Sequence, residues 1–358
     1  MAPAFLLTRR ILLMNTHQQK VALFKMASSA LKGARKYLDS HNFHDVSLQM
    51  PHIVGVTGAC ENVSTLFKVD YFGKEAFLAQ SNQLYLELWT PHLFNVSCLV
   101  RSFRAEPDVD ARHQTEFGLL ELELLGNLDL LIERISGTVR AACNEVAWNH
   151  GEELNNLFGR NPKDITDLKF QRVTYVEAIE LLNQDKFPEL KFGDDLKADH
   201  ELRLTELLNG PIFITHYPKE IKFFNMKANA QNDRLVNSTD LILPLSGESA
   251  GAAERETDVF QICEKLLSNS MYRILKETTN VQDEDFDWYL NAHLEEPQEN
   301  VLKLYREHII NGTSPLKAKK IPLHSGTGMG MDRIMQFIIG SSDIRKARVY
   351  PRNAACLE

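Results

Sequence analysis

Glu116-Phe117-Gly118-Leu119-Leu120-Glu121-Leu122-Glu123-Leu124-Leu125 is the stretch that decides the fold. From Leu120 to Leu124 leucine and glutamate alternate with the period of a β-strand, so one face is apolar and the other presents carboxylates. That pattern belongs to an antiparallel sheet, because strands of an all-parallel sheet are covered on both faces and read as unbroken apolar runs. Upstream, an apolar stretch ends at Phe103-Arg104-Ala105-Glu106, and a short polar loop leads through Arg112-His113 back to Glu116. Further out, Phe67, Val69 and Tyr71 alternate with Lys68 and Asp70, a turn follows at Gly73-Lys74, and Ala76 to Gln80 returns, which predicts a hairpin. Ile212 to Ile214 and Leu241 to Leu245 read as interior strands bounded by Pro211, Pro218 and Gly247. Phe24, Ala27, Leu31, Ala34 and Leu38 form a helical stripe over residues 17 to 38. A second amphipathic helix spans 129 to 150 and is stopped by His150-Gly151, and Thr174 with Glu177 forms a capping box before a third. Helices interrupt groups of strands without regular βαβ alternation, so the expected class is α+β, an antiparallel β-sheet flanked by helices.

The chain has 358 residues, 44% hydrophobic and 25% charged, enough to bury a sizeable core and unlike disordered, collagenous or disulfide-built chains. A formal charge of -8 excludes a protein that holds nucleic acid through generic phosphate contacts. Five scattered cysteines (Cys60, Cys98, Cys143, Cys263, Cys356), never in a CxxC pair, read as reduced, buried thiols. No apolar run reaches the roughly 18 residues of a spanning helix, so no membrane partner is expected and the location is read as cytoplasmic. The acidic stretch Asp283 to Glu299 reads as a solvated surface segment.

P-loop and HExxH motifs are missing. What remains is arginines beside carboxylates and glycines. Arg104 at a strand end can fork onto a phosphate, and Arg112 and His113 in the following loop can fold over more distal phosphates. Near the C-terminus, Gly326-Thr327-Gly328-Met329-Gly330-Met331-Asp332-Arg333 puts alternate glycines, against which a flat ligand can lie, directly before another arginine.

Taken in order, these segments identify a resemblance to the catalytic domain of class II aminoacyl-tRNA synthetases, aspartyl/asparaginyl branch, nearest the asparaginyl enzymes of eukaryotes and archaea. It runs from about Thr8 to Arg352. Thr8-Arg9-Arg10 resembles the family's entry into the domain, which argues against a targeting peptide. Tyr37 through Pro51 matches motif 1, the dimer-forming helix and strand. Ser64 to Gly73 and Ala76 to Tyr85 match the amino-acid pocket. Phe103 to Phe117 is motif 2, Tyr217 to Lys222 and Asp240 to Glu248 follow, and Gly326 to Arg333 is motif 3.

The resemblance implies an AMP-forming ligase that uses ATP and Mg2+ and works as a homodimer. It implies that Arg104 meets the α-phosphate and Glu106 the adenine side. Phe117 and Arg333 would sandwich the adenine over Gly330, with Arg333 also near the γ-phosphate, while Arg112 and His113 lie on a mobile loop. Glu248, helped by Asp240, would hold magnesium. Glu61, with Gln80 and Gln83, would take the amino acid's ammonium group. Glu87 would accept from a side-chain carboxamide and Arg255 would donate to it. One acceptor and one donor suit asparagine better than aspartate, and Leu86 stands where the aspartyl branch has a lysine.

Three departures shape the functional expectation. Residues 1 to 358 read as a single catalytic domain, without the N-terminal anticodon-binding domain. The motif 2 loop, Pro107-Asp108-Val109-Asp110-Ala111, carries two carboxylates where tRNA would approach. Asn62-Val63 and Ala250-Gly251-Ala252-Ala253 replace glycines that lie against the amino acid, so side chains are expected to intrude on the pocket. A segment at about 295 to 320, with Lys317, Lys319 and Lys320, reads as an insertion. The expectation is therefore activation of asparagine or aspartate as the adenylate and transfer to ammonia or a small amine, with tRNA disfavoured. The alternatives are a tRNA ligase without its own anticodon domain and an inactive binding paralogue.

Overall fold

A computed structural model describes residues 15–56 and 63–357. The helices are α1 (His17–Ser40), α2 (Gln83–Leu93), α3 (Leu128–Phe158), α4 (Tyr175–Asp185), α5 (Ala198–Leu207), α6 (Val259–Ser268), α7 (Ser270–Thr278), α8 (Val301–Asn311) and α9 (Met331–Ile339). The strands are β1 (His44–Asp45), β2 (Ile53–Val54), β3 (Lys68–Tyr71), β4 (Lys74–Leu78), β5 (Asn95–Phe103), β6 (Glu116–Leu125), β7 (Gln171–Thr174), β8 (Ile212–Thr215), β9 (Ser238–Leu243), β10 (Gly247–Glu254) and β11 (His324–Gly330). Eight of these form one sheet in the order β1-β5-β6-β11-β10-β9-β8-β7, and β2-β4-β3 forms a second. The large sheet is antiparallel throughout its middle, with parallel pairs only at its two edges, β1 with β5 and β7 with β8. The class expected from the alternation at Leu120 to Leu124 is the one observed.

That alternation sorts the two faces. Leu120, Leu122 and Leu124 enter the main core behind the sheet, with α1, α3 and α9. Glu121 and Glu123 point the other way, yet they are buried too, at 2% and 1% exposure, so the carboxylate face is the floor of a site rather than a solvated surface. A second core unites the small sheet with α6, α7 and α8, and a third packs α4 against β8 and β9.

Several local signals in the sequence set the elements where the pattern places them. The Thr174–Glu177 capping box starts α4. Phe72 and Gly73, with φ of 54° and 82°, turn the β3–β4 hairpin, the left-handed pair that a two-residue connection needs. Others were displaced. The buried stripe of α1 runs through Leu23, Met26, Ala30, Ala34 and Leu38, whereas Phe24, Ala27 and Leu31 lie outside it. Phe24 is 57% exposed, and its ring meets Tyr350. His150-Gly151 kinks α3 rather than ending it, and the helix continues to Phe158. The interior strand ends at Leu243, and Leu245 is 41% exposed with φ of 69°.

The acidic stretch 283 to 299 is the largest departure from expectation. Phe286, Tyr289, Leu290 and Leu294 are buried in the second core, and only the acidic side faces outward. Asp283 gathers Lys276, Arg306 and Tyr272 around one carboxylate. The expected insertion contains α8, which buries Val301, Leu302 and Tyr305 and leaves Ile309 and Ile310 exposed. Four cysteines (Cys98, Cys143, Cys263, Cys356) are free and buried, while Cys60 lies outside the described residues.

Candidate active site

A cleft of about 590 Å3 crosses the face of the large sheet opposite the main core, and its floor is built by β6, β11 and β10. Gly326, Gly328 and Gly330 occupy the cleft side of β11, opposite the carboxylate face of β6. A Cβ on Gly326 would overlap the Glu123 carboxyl group, which lies across it from β6.

One end of the cleft gathers positive charge. Arg104 follows the last residue of β5, its N–H donates to Thr115 O at 2.9 Å, and its guanidinium stands 5.0 Å over the Phe117 ring. Arg333, in the first turn of α9, donates to Ser246 O and, at 2.9 Å, to Arg112 O. Burial, then the charges of Arg112 and Arg104, pull Arg333 down to about 10, which still leaves it charged. Glu106, His113, Phe117 and Gly330 line the same cleft. Asp110 folds the motif 2 loop on itself by accepting from Arg112 N, His113 N and, at 2.8 Å, His113 Nδ1. One of the two loop carboxylates is therefore engaged internally, but against burial the hydrogen bonds from Arg112 and His113 hold its carboxyl below the ordinary range, so Asp110 keeps its negative charge on that loop beside Asp108.

Asp240 and Glu248 stand beside these arginines. Asp240 accepts from Lys222 Nζ at 2.7 Å. Burial, despite Lys222, raises the Asp240 carboxyl above its ordinary range. A Cβ on Gly251 would lie 3.4 Å from Glu248 Oε1 and 3.7 Å from Asp240 Oδ1, so both carboxylates converge on one glycine. Among the described residues no set of three or more His, Cys, Asp or Glu could hold a metal. Two carboxylates without a full protein cage are the donor set that suits Mg2+ bound together with phosphate oxygens, so the residues fit that ion.

The other end is a buried polar network. Arg255 donates through Nε to Glu123 Oε1 at 3.0 Å, pairs again through Nη2, and stands 3.5 Å from Glu87 Oε1. Glu87 also accepts from Gln83 Nε2 (2.7 Å), Asn225 Nδ2 (2.8 Å) and the Tyr289 hydroxyl (2.7 Å). Arg255, Gln80, Gln83 and Glu121 line the cleft directly, and Glu87 stands behind them at 3% exposure. Burial raises Glu121 and Glu123 above the ordinary carboxylate range, and for Glu123 the pull of Arg255 does not cancel it. Gln80 donates to Thr65, and Glu61 lies outside the described residues, as does Asn62.

Of the alanines in the β10 run, Ala253 keeps the cleft side of the strand, paired with Gly326, whereas the other two do not act as expected. Ala250 and Ala252 pack into the core behind the sheet, and Gly251, on the cleft side opposite Asp240, is still glycine. Strand alternation sends those two methyl groups away from the pocket.

Three side chains at the site were not read from the sequence. Asn225 and Tyr289 are distant in the chain from Glu87, the carboxylate to which both donate, and Tyr289 lies inside a stretch whose charge reads as surface. Glu201 accepts from Arg112 Nη2 at 3.2 Å. It had a readable signal, a carboxylate on the same helical face as Leu204 and Thr205.

This sheet, with arginines at one end of the cleft and a carboxylate-arginine network at the other, is the class II synthetase catalytic fold, and the protein is an ATP-dependent ligase of that kind. The chain belongs to the class II tRNA synthetases (D, K and N), whose family profile matches residues 3–297 and 315–354. It is 35% identical over 366 residues to the asparagine–tRNA ligase of Pyrococcus furiosus, covering 99% of this chain and 74% of that protein. Among solved structures it is similar to Pyrococcus horikoshii asparaginyl-tRNA synthetase complexed with asparaginyl-adenylate, at a TM-score of 0.79 and 32% identity over 100% of this chain and 74% of that one. The Entamoeba histolytica asparaginyl-tRNA synthetase with asparaginyl-adenylate gives 0.75 and 26%, over 98% and 71%. The two matched stretches leave out residues 298–314, which contain all of α8. Among the described residues no helix is long and apolar enough to cross a membrane.

Proposed function

We propose that this protein activates asparagine as its adenylate and passes the acyl group to a small amine or ammonia. The observation that carries the amino acid is Arg255, held rigid by Glu123 and Glu87 at the inner end of the cleft. A fixed guanidinium donates to a carboxamide oxygen, and the surrounding carboxylates accept from its NH2 and oppose a second carboxylate. Leu86, fully buried, offers no cation to aspartate. The relatives' asparagine specificity supports the same reading.

In the reaction the amino-acid carboxylate attacks the α-phosphorus, a new O–P bond forms, and the bond to the β-phosphate oxygen breaks as pyrophosphate leaves. Two anions meet, so Arg104 and Arg333 lower the barrier by offsetting charge at the phosphorus, and no general base is required. Asp240 and Glu248 would hold Mg2+, which supplies further charge neutralisation on the phosphates. Phe117 would stack on the adenine. Dimerisation through Tyr37 to Pro51 is part of the proposal, supported by Leu48 at 93% exposure in that segment.

The acceptor reading rests on Asp108 and Asp110 in the motif 2 loop. Transfer to tRNA is the second reading, favoured by the activity of the named relatives. Amino-acid-dependent pyrophosphate exchange across all amino acids, with and without tRNA, decides between them. Exchange with asparagine and no acylated tRNA is the expected result, acylated tRNA establishes the second reading, and no exchange with any amino acid refutes both. Arg104→Ala is expected to lower exchange at least about 100-fold, and near-normal exchange would overturn the role given to motif 2.

A further inference from the structure

We propose that Glu201 is the positioning residue that holds Arg112 ready for the distal phosphates of ATP. Its carboxylate, 6% exposed, sits on α5 behind the phosphate end of the cleft. One oxygen, Oε2, accepts both from Arg112 Nη2 at 3.2 Å and from the backbone N–H of Glu248 at 3.1 Å. The junction has room only because residue 247 is glycine: a Cβ there would stand 2.8 Å from Glu201 Oε2 and 3.1 Å from Arg112 Nη2. From its other side Arg112 is tied through its carbonyl oxygen to Arg333. The loop arginine is thus clipped between α5, the β9–β10 turn and the opening of α9.

The charge balance explains why an anion belongs there. Arg104, Arg112 and Arg333 all line this end of the cleft, and three guanidinium groups repel one another until phosphate arrives. Above about pH 7, the value to which burial and then the charge of Glu248 raise its carboxyl against the pull of Arg112, Glu201 supplies a negative charge beside the Arg112 guanidinium. Its second hydrogen bond, to Glu248 N–H, anchors the carboxylate in the fold, so the guanidinium is presented to the nucleotide already oriented instead of being ordered by it. Glu201 acts through Arg112 and meets no substrate atom. Its effect therefore falls on nucleotides that carry β- and γ-phosphates and not on AMP.

The inference rests on Arg112 facing the distal phosphates, and the test separates the two ideas. Affinities of the full chain for ATP and for AMP would be measured by calorimetry for wild type, Glu201→Gln, Arg112→Ala and the double variant. Gln keeps the side-chain shape and an oxygen for Glu248 N–H. Glu201→Gln is expected to weaken ATP about tenfold and AMP less than about twofold, and to add nothing on top of Arg112→Ala. Retained AMP binding reports that the variant is folded. If Arg112→Ala weakens ATP while Glu201→Gln does not, or if Glu201→Gln weakens ATP and AMP alike or adds fully to Arg112→Ala, the role of Glu201 is overturned. An Arg112→Ala variant with unchanged ATP affinity overturns the placement of Arg112 itself.

Discussion

Gly326→Ala tests the amino-acid end of the cleft with a single methyl group. Gly326 lies on β11 directly opposite Glu123 on β6, and a Cβ built there would overlap the Glu123 carboxyl carbon and both its oxygens. To regain van der Waals distance the carboxylate must retreat by more than about 1 Å. It is 1% exposed and bonded to Arg255, so the retreat breaks the 3.0 Å bond to Nε and leaves the guanidinium with Glu87 at 3.5 Å. Disrupting a buried ion pair costs about 3–5 kcal/mol when one partner is removed outright. Here both partners remain, so about 2–3 kcal/mol is expected, close to 100-fold in kcat/KM for asparagine at about 1.4 kcal/mol per tenfold. The phosphate end is spared, because Gly330 lies four residues along the strand, roughly 13 Å away. The assay is pyrophosphate exchange with asparagine and ATP varied separately, beside a urea melt. The expected result is a collapse in asparagine efficiency with the KM for ATP within about threefold of wild type. A variant with an unchanged KM for asparagine would refute the claim that the Glu123–Arg255 pair forms the side-chain pocket, and an equal loss for both substrates would mean that the sheet as a whole had shifted. Adding Glu123→Ala to Gly326→Ala removes the overlap and should restore part of the stability but not asparagine efficiency, since Arg255 would then lack its main partner.

Two further outcomes concern stability. Gly33 on α1 crosses α3 so closely that a Cβ would overlap the Ala141 carbonyl oxygen and sit 2.8 Å from Glu145 Cβ. Gly33→Ala must push backbone from backbone and is expected to cost about 2–3 kcal/mol in urea unfolding, and a loss below about 0.5 kcal/mol would contradict this packing. At Asp283 burial works to raise the carboxyl, but hydrogen bonds from Lys276, Tyr272 and Arg306 prevail and hold it at about 2, below its ordinary 3.8. A lowered folded-state value stabilises above the ordinary value and is lost as pH falls through the folded one. Asp283→Asn should therefore cost about 1–2 kcal/mol at pH 7, allowing for solvent screening, and about half that at pH 3. A penalty that does not shrink between pH 5 and pH 3 would assign it to packing instead of charge.

Local pattern carried much of the fold because its causes are local. The leucine-glutamate alternation on β6, the hairpin turn at Gly73 and the Thr174 capping box each depend on residues a few positions apart, and each appears where expected. Stripe assignment on α1 slipped by one residue because Phe24 is apolar but meets only Tyr350 at the surface, and periodicity cannot distinguish a core face from its neighbour when small residues fill both. The acidic stretch misled for a similar reason: charge dominated the reading, while Phe286, Tyr289 and Leu290 supplied the burial.

At the site, the residue types and their order were legible in the sequence alone. Arg104, Arg112 and Arg333 stood out beside carboxylates and glycines, and Asp240, Glu248 and Arg255 could be named because the resemblance to the class II family carries them. Their grouping into a phosphate end and an amino-acid end was decided by strand pairing across β6, β11 and β10, which brings residues more than 200 positions apart into register. Only tertiary packing sets Glu87 beneath Tyr289 and makes Glu201 the partner of Arg112. Sequence fixes which face of a strand or helix a side chain occupies, since that follows from the backbone's own period. Which faces then meet, and hence which charges neutralise one another, is a property of the folded chain, where burial and distance determine the energy.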